Sequence, residues 1–130
     1  MADDQIDPRI QEIAQRCFDA ARAGDSETLS TYIEAGVPAN LTNGAGDTLV
    51  MLASYRGNAA AVRVLIDNGA DVNRANDRGQ TPLAGAVFKG EEEVVRMLTE
   101  AGADPLGGHP TAVDAAQMFG REDYLQLWQR

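Results

Sequence analysis

Apolar residues recur along the chain at helical spacing, in segments separated by glycine and polar residues. Over residues 9–23 they lie three or four positions apart, which places them on one helix face. These residues are Ile10, Ile13, Ala14, Cys17, Phe18 and Ala21. Similar spacing predicts helices over about 26–35, 48–56, 58–68, 81–89 and 91–101, and a further pair within 111–130. The pattern therefore predicts an all-α protein of eight short helices.

Two of these segments carry the same apolar stripe in the same register. Ala61, Val62, Val64 and Leu65 correspond to Val94, Val95, Met97 and Leu98, which lie 33 residues later. Two ladders of glycines have the same period: Gly24, Gly57 and Gly90, and Gly36, Gly69 and Gly102. A period of about 33 residues is that of a turn followed by two short helices. The chain is therefore predicted to be a stack of such units.

The period divides the chain into four units behind a short polar leader. The leader is residues 1–8, and a single repeat domain follows over 9–130, with units at about 9–42, 43–75, 76–106 and 107–130. The fourth unit is shorter because the turn Gly107-Gly108-His109-Pro110 replaces a longer one. We expect Trp128 to cover the exposed end of the stack, since an amphipathic aromatic ring tolerates one wet side.

Residues 76–105 resemble the signature of ankyrin repeats. The matching positions are Gly79, Thr81-Pro82-Leu83, Ala86, Gly90, Val94-Val95, Leu98 and Gly102-Ala103-Asp104. The resemblance implies an ankyrin-type solenoid of helix-turn-helix repeats with short β-hairpin turns, over about residues 9–130. Met51, Ala84 and Asp114 stand where the family has a histidine that ties neighbouring turns by hydrogen bonds. That network is therefore not expected here in the family's form.

The resemblance also implies a binding surface. In ankyrin stacks, partner proteins bind the concave face formed by the hairpin tips and the exposed ends of the first helices. The corresponding residues here are Asp47, Tyr55, Arg56, Asp77, Arg78, Gln80, Phe88, Lys89 and Met118. Tyr, Met and Arg are enriched at protein interfaces. For Phe88 and Phe119, packing between units and exposure for binding are equal alternatives.

Composition narrows the range of partners. The formal net charge is −9, and an acidic surface repels nucleic-acid phosphates and anionic membranes. The acidic N-terminus does not resemble a secretory signal, and no apolar run reaches the length of about 18 residues that a membrane span needs. We therefore expect a soluble, cytoplasmic monomer that binds another protein.

No set of residues predicts catalysis, a metal site or a cofactor. His109 lies in a turn, with no cysteine or second histidine at ligand spacing. Glu91-Glu92-Glu93 begins a predicted helix, where carboxylates favour the positive end of the dipole. Cys17 lies on an apolar face and is interpreted as a packing thiol. We predict a non-catalytic interaction module: an adaptor, inhibitor or stabiliser. The alternatives are a self-assembling structural repeat protein, or a small-ligand-binding protein or enzyme.

Overall fold

The computed structural model describes residues 7–129, and eight α-helices lie within that range. They are α1 (Pro8–Ala23), α2 (Ser26–Glu34), α3 (Leu49–Tyr55), α4 (Ala59–Asp67), α5 (Pro82–Lys89), α6 (Glu92–Glu100), α7 (Ala112–Met118) and α8 (Glu122–Trp128). The predicted all-α architecture of eight short helices is confirmed. Pro8 already belongs to α1, and residues 1–6 of the expected leader lie outside the described range. No helix within residues 7–129 has the length and apolar content needed to cross a bilayer.

The helices form two layers. α3 packs between α1 and α5, and α5 also packs against α7. In the second layer α4 packs between α2 and α6. Each helix therefore packs mainly against its own partner and against the corresponding helices of adjacent units, which is the arrangement of a solenoid.

Threonine and glycine set the ends of the first helices. The side chains of Thr48, Thr81 and Thr111 each accept a hydrogen bond, at 3.0 to 3.2 Å, from the backbone N–H three residues later. This satisfies a backbone donor that has no partner within the helix. Gly24 and Gly90 end α1 and α5 with φ of 77° and 73°, a left-handed conformation that a side chain disfavours.

The predicted apolar stripes form the core. Leu65 on α4 and Leu98 on α6 are completely buried. Cys17 on α1 is also completely buried, and burial raises the pKa of its thiol. The thiol therefore serves packing, as its position on the apolar face indicates.

Asparagine side chains tie adjacent units together. Asn40 Oδ1 accepts a hydrogen bond from the backbone N–H of Asp71 at 2.7 Å, and Asn73 Oδ1 accepts one from Asp104 at 2.7 Å. Asn58 Nδ2 donates to two carbonyls at the end of α1, at 2.9 and 3.0 Å. Side-chain amides thus supply ties between neighbouring units in a chain whose turn motifs lack the family's histidine.

Side chains also hold α8 on α6. Trp128 Nε1 donates to Thr99 Oγ1 at 3.1 Å, and its ring stacks on Tyr124 with the ring centroids 6.0 Å apart. Arg121 bonds Glu92 Oε1 at 2.6 Å. The half-buried Trp128 therefore closes the last unit by packing back toward the third.

The turns between units contain less β-structure than expected. Within residues 7–129, β pairing is limited to one isolated antiparallel bridge, between Thr42 and Thr48. The expected hairpin ribbons are therefore reduced to closed loops. The physical reason is that asparagine side chains accept the hydrogen bonds of loop N–H groups that a strand ladder would otherwise pair.

Candidate functional site

The loops 43–47 and 76–80 have the same geometry. Asn43 Oδ1 accepts hydrogen bonds from the backbone N–H groups of Ala45 and Asp47, both at 3.0 Å. Asn76 Oδ1 accepts from the N–H groups two and four residues later, at 3.0 and 2.9 Å. Gly46 and Gly79 close the loops with φ of 79° each. One amide oxygen thus fixes two backbone donors in each loop.

Hydrogen bonds also join these loops to each other and to the next turn. The backbone N–H of Asp77 donates to the carbonyl of Ala45 at 3.1 Å. Asn76 Nδ2 donates to Asp47 Oδ1 at 2.8 Å. The N–H of His109 donates to the carbonyl of Gly79 at 2.8 Å. The tips therefore form one connected surface, and one carboxylate oxygen of Asp47 is directed to the neighbouring loop.

A cleft of about 210 Å³ opens between the loops and the helix ends. Five of the nine predicted partner-binding residues line it: Asp47, Tyr55, Arg56, Arg78 and Gln80. Arg22, Met51, Leu52 and Asn76 complete the lining. Because three arginines contribute to its wall, we call this space the arginine cleft.

An apolar cleft of about 120 Å³ adjoins it. Its walls are Met51, Tyr55, Gln80, Ala84, Gly85, Phe88 and Pro110. Met51, Tyr55 and Gln80 line both spaces. A short polypeptide segment can therefore reach both clefts at once. We use the term inner surface for the loops 43–47 and 76–80 together with the C-terminal ends of α1, α3, α5 and α7.

The Tyr55 ring rests on Gly85 of the neighbouring helix. A Cβ atom at Gly85 would lie 2.9 Å from Tyr55 Cδ1, which is closer than van der Waals contact allows. Lys89 Nζ lies 5.2 Å from the centroid of the same ring, within cation–π range. Gly85 and Lys89 thus position the aromatic wall that the two clefts share.

Several cations of the inner surface have no internal counter-ion. Arg56, Arg78 and Lys89 form no ion pair with the described residues, and Arg63, Arg74 and Arg96, which lie outside the inner surface, form none either. Arg22 has a long contact to Asp19, at 3.4 Å. The inner surface therefore carries exposed positive charge on a chain whose formal net charge is −9.

The family model for ankyrin repeats, in three copies, matches residues 17–106. The chain belongs to the ankyrin-repeat family. Over 59 residues it is 46% identical to a Pseudomonas aeruginosa protein that is provisionally named an ankyrin repeat protein. The match covers 45% of this chain and 34% of that relative, so the chain spans about a third of the relative's length. Ankyrin repeats are generally protein–protein interaction modules and are typically non-catalytic.

The aromatic residues at the ends of the first ankyrin helices pair with each other. The Phe88 and Phe119 rings meet edge to face with centroids 5.4 Å apart, a favourable arrangement. Both keep about half of their surface exposed, 53% for Phe88 and 48% for Phe119. The two rings therefore pack against each other between units and also stay half-exposed, so packing and exposure both hold in part.

The remaining predicted residues lie at the edges of the site. Asp77 is exposed at the tip of its loop, and Met118 is 67% exposed at the end of α7. Both, like Lys89, lie outside the linings of the two clefts. The prediction also omitted Asn76 and Gly85, which position the loop and the Tyr55 ring. A glycine inside a predicted helix is itself a signal of close approach, because it costs about 1 kcal/mol relative to alanine.

The described residues assemble no metal-binding cluster of three or more His, Cys, Asp or Glu side chains. His109 is exposed beside the loop 76–80. Glu92 and Glu93 lie in the first turn of α6, as predicted. Glu92 also pairs with Arg121, so its carboxylate has a partner beyond the helix dipole.

Proposed function

We propose that this protein binds another protein through its inner surface and performs no catalysis. The observation that carries the proposal is the arginine cleft, which brings together Asp47, Tyr55, Arg56, Arg78 and Gln80 from two units. Arginine and tyrosine dominate binding energy at interfaces. The interaction would serve an adaptor, inhibitor or stabiliser that acts as a monomer.

The closed loops support binding by a preformed surface. Asn43 and Asn76 hold their loops by hydrogen bonds, so little ordering entropy is lost when a partner docks. The exposed positive charge of the inner surface complements an acidic or mixed partner surface at short range. Discrimination therefore rests on shape and charge complementarity.

Capture of a partner from a lysate of the source organism tests the proposal. The double variant Arg56→Glu/Lys89→Glu reverses two inner-surface charges, so we expect it to lose the protein that the wild type captures. The matched control Arg63→Glu/Arg96→Glu reverses two exposed charges on α4 and α6 and changes the net charge equally. We expect the control to keep the partner. Loss in the control with retention in the inner-surface variant would refute the proposed site.

Two further measurements bear on the wider proposal. Sedimentation of the purified chain is expected to give the mass of a monomer, whereas end-to-end stacking would give larger, concentration-dependent species. Fractionation of cells that express the tagged chain is expected to find it in the cytoplasm. A purified partner that is chemically converted rather than bound would contradict a non-catalytic role.

A further inference from the structure

We propose that the occupant of the inner surface is a short acidic peptide segment of the partner, with two or three carboxylates next to one apolar side chain. This inference rests on the function proposed above. It goes further by naming the chemistry of the partner. The two clefts and their shared wall provide the argument.

The arginine cleft is complementary to carboxylate groups. Arg56 and Arg78 line it without a carboxylate partner among residues 7–129, and Arg22 adds a third guanidinium. The guanidinium fork matches a carboxylate with two parallel hydrogen bonds. Asp47 is the one carboxylate in the lining, and its Oδ1 already accepts from Asn76. The cleft therefore has an excess of unneutralised donors.

The apolar cleft is complementary to a hydrophobic side chain on the same peptide segment of the partner. Its walls include Met51, Ala84 and Phe88, and Tyr55 separates it from the arginine cleft. Burial of an apolar side chain contributes about 25 cal/mol per Å² removed from water. Because the clefts share a wall, residues close together in one peptide reach both.

A short segment fits this surface better than a nucleic acid. Phosphates would satisfy the arginines, but a long polyanion would also extend across the acidic remainder of a chain whose net charge is −9. A segment with two or three carboxylates confines its charge to the cleft. Neutral flanking residues avoid Asp77 at the tip of the loop.

Selection from a phage-displayed library of random peptides tests the proposal. Peptides are selected for binding to the wild-type chain. Peptides that also bind the Arg56→Glu/Arg78→Glu variant are then discarded, because they bind outside the arginine cleft. We expect the enriched peptides to carry clustered Asp and Glu beside Leu, Ile, Met or Phe. Enrichment of neutral or basic sequences, or no enrichment over the variant, would overturn the proposal.

Fluorescence anisotropy with a labelled selected peptide provides the quantitative measurement. We expect Arg56→Glu/Arg78→Glu to weaken binding by at least about tenfold, since charge reversal puts like charges together. The matched control Arg63→Glu/Arg96→Glu should weaken it less than about twofold, because those charges act only at long range. Equal losses in both variants would contradict a local arginine site. Tighter binding of a single-stranded oligonucleotide of equal charge would favour nucleic acid instead.

The outcomes separate this inference from the proposed function. Partner capture that depends on Arg56 and Lys89, together with peptides that lack acidic residues, leaves the function standing and refutes the acidic segment. Partner capture that is indifferent to Arg56 and Lys89 refutes the inner surface as the binding site, and the acidic segment with it. Circular dichroism of each variant establishes that a loss of binding is not a loss of fold.

Discussion

Gly85 lowers the stability of α5, and its contact with the Tyr55 ring explains why a glycine stands there. In the middle of a helix, alanine is normally more stabilising than glycine by about 1 kcal/mol. Here the Tyr55 ring occupies the space that an alanine methyl group would fill. The sequence therefore gives up helix stability to seat an aromatic ring at the wall between the two clefts.

A double-mutant cycle measures this trade. In a Tyr55→Ala background, Gly85→Ala is expected to raise the free energy of unfolding by about 1 kcal/mol, because only the helix propensity changes. In the wild-type background we expect that gain to be cancelled or reversed by the clash with the ring. Urea denaturation of the four proteins gives the coupling energy. Equal gains in both backgrounds would mean that the ring does not rest on Gly85.

Single residues of the site could be predicted from the sequence only where repeat register defines them. The 33-residue spacing aligns Arg56 with Lys89, so the sequence predicts that both lie at equivalent positions of their units. The contact of Tyr55 with Gly85 depends on the direction of one side chain across two helices. Such directions follow from packing, which the spacing of residues along the chain does not specify.

At the scale of elements, the start of α2 carries a pH-dependent contribution. Asp25 accepts hydrogen bonds from the Thr28 hydroxyl at 2.6 Å and from its backbone N–H at 3.1 Å. These bonds hold the pKa of the Asp25 carboxyl below its ordinary value of 3.8. Because the Asp25 carboxyl has a lower pKa in the folded state than in the unfolded state, its ionised form stabilises the folded state at pH values above the unfolded-state pKa. This contribution is lost as the pH falls through the folded-state pKa.

Asp25→Asn tests this contribution. We expect the variant to be less stable than the wild type at pH 7, with the difference shrinking below about pH 4 as the wild-type carboxyl is protonated. Urea denaturation across a pH series measures it. In a Thr28→Val background, which lacks the hydroxyl donor, the difference should be smaller at every pH. A difference that grows toward low pH would contradict the assignment.

The second helices are held by equivalent leucines. Leu65→Ala and Leu98→Ala are each expected to lower the free energy of unfolding by about 2–5 kcal/mol, since both side chains are completely buried. Glu93→Ala, at an exposed position of α6, should cost well under about 1 kcal/mol. Denaturant melts that reverse this order would mean that the repeat register is wrong. Glu92 is unsuitable as the control because it pairs with Arg121.

The sequence predicted the helices better than the turns. Buried positions such as Leu65 and Leu98 recur because each unit must bury the same face, so helix positions appear in the spacing. The turns do not bury a repeated face. Their form depends on whether a side chain such as Asn43 takes up the backbone N–H groups, and the choice between closed loop and ribbon was therefore missed.

At the scale of the whole molecule, a solenoid is expected to open from its ends, since a terminal unit has one neighbour instead of two. Trp128→Ala removes the hydrogen bond to Thr99 and the stacking on Tyr124. We expect amide hydrogen exchange to accelerate mainly in α7 and α8, with a smaller effect in α3 and α4. The exposed Gln126→Ala control should leave both regions unchanged. Uniform acceleration of hydrogen exchange along the chain would indicate that all four units unfold in a single cooperative step.

The matching loops 43–47 and 76–80 also suggest how the surface can grow. Each loop meets its successor through a backbone hydrogen bond, from Asp77 to Ala45 and from His109 to Gly79. A tandem copy of residues 43–75 inserted after residue 75 would keep the present contacts where the copy meets residues 76–106. Where the copy meets the original unit, its Leu52 would stand in the place that Gly85 leaves for the Tyr55 ring. Gene duplication could therefore lengthen this recognition surface by one unit once that leucine of the copy is replaced by a small residue.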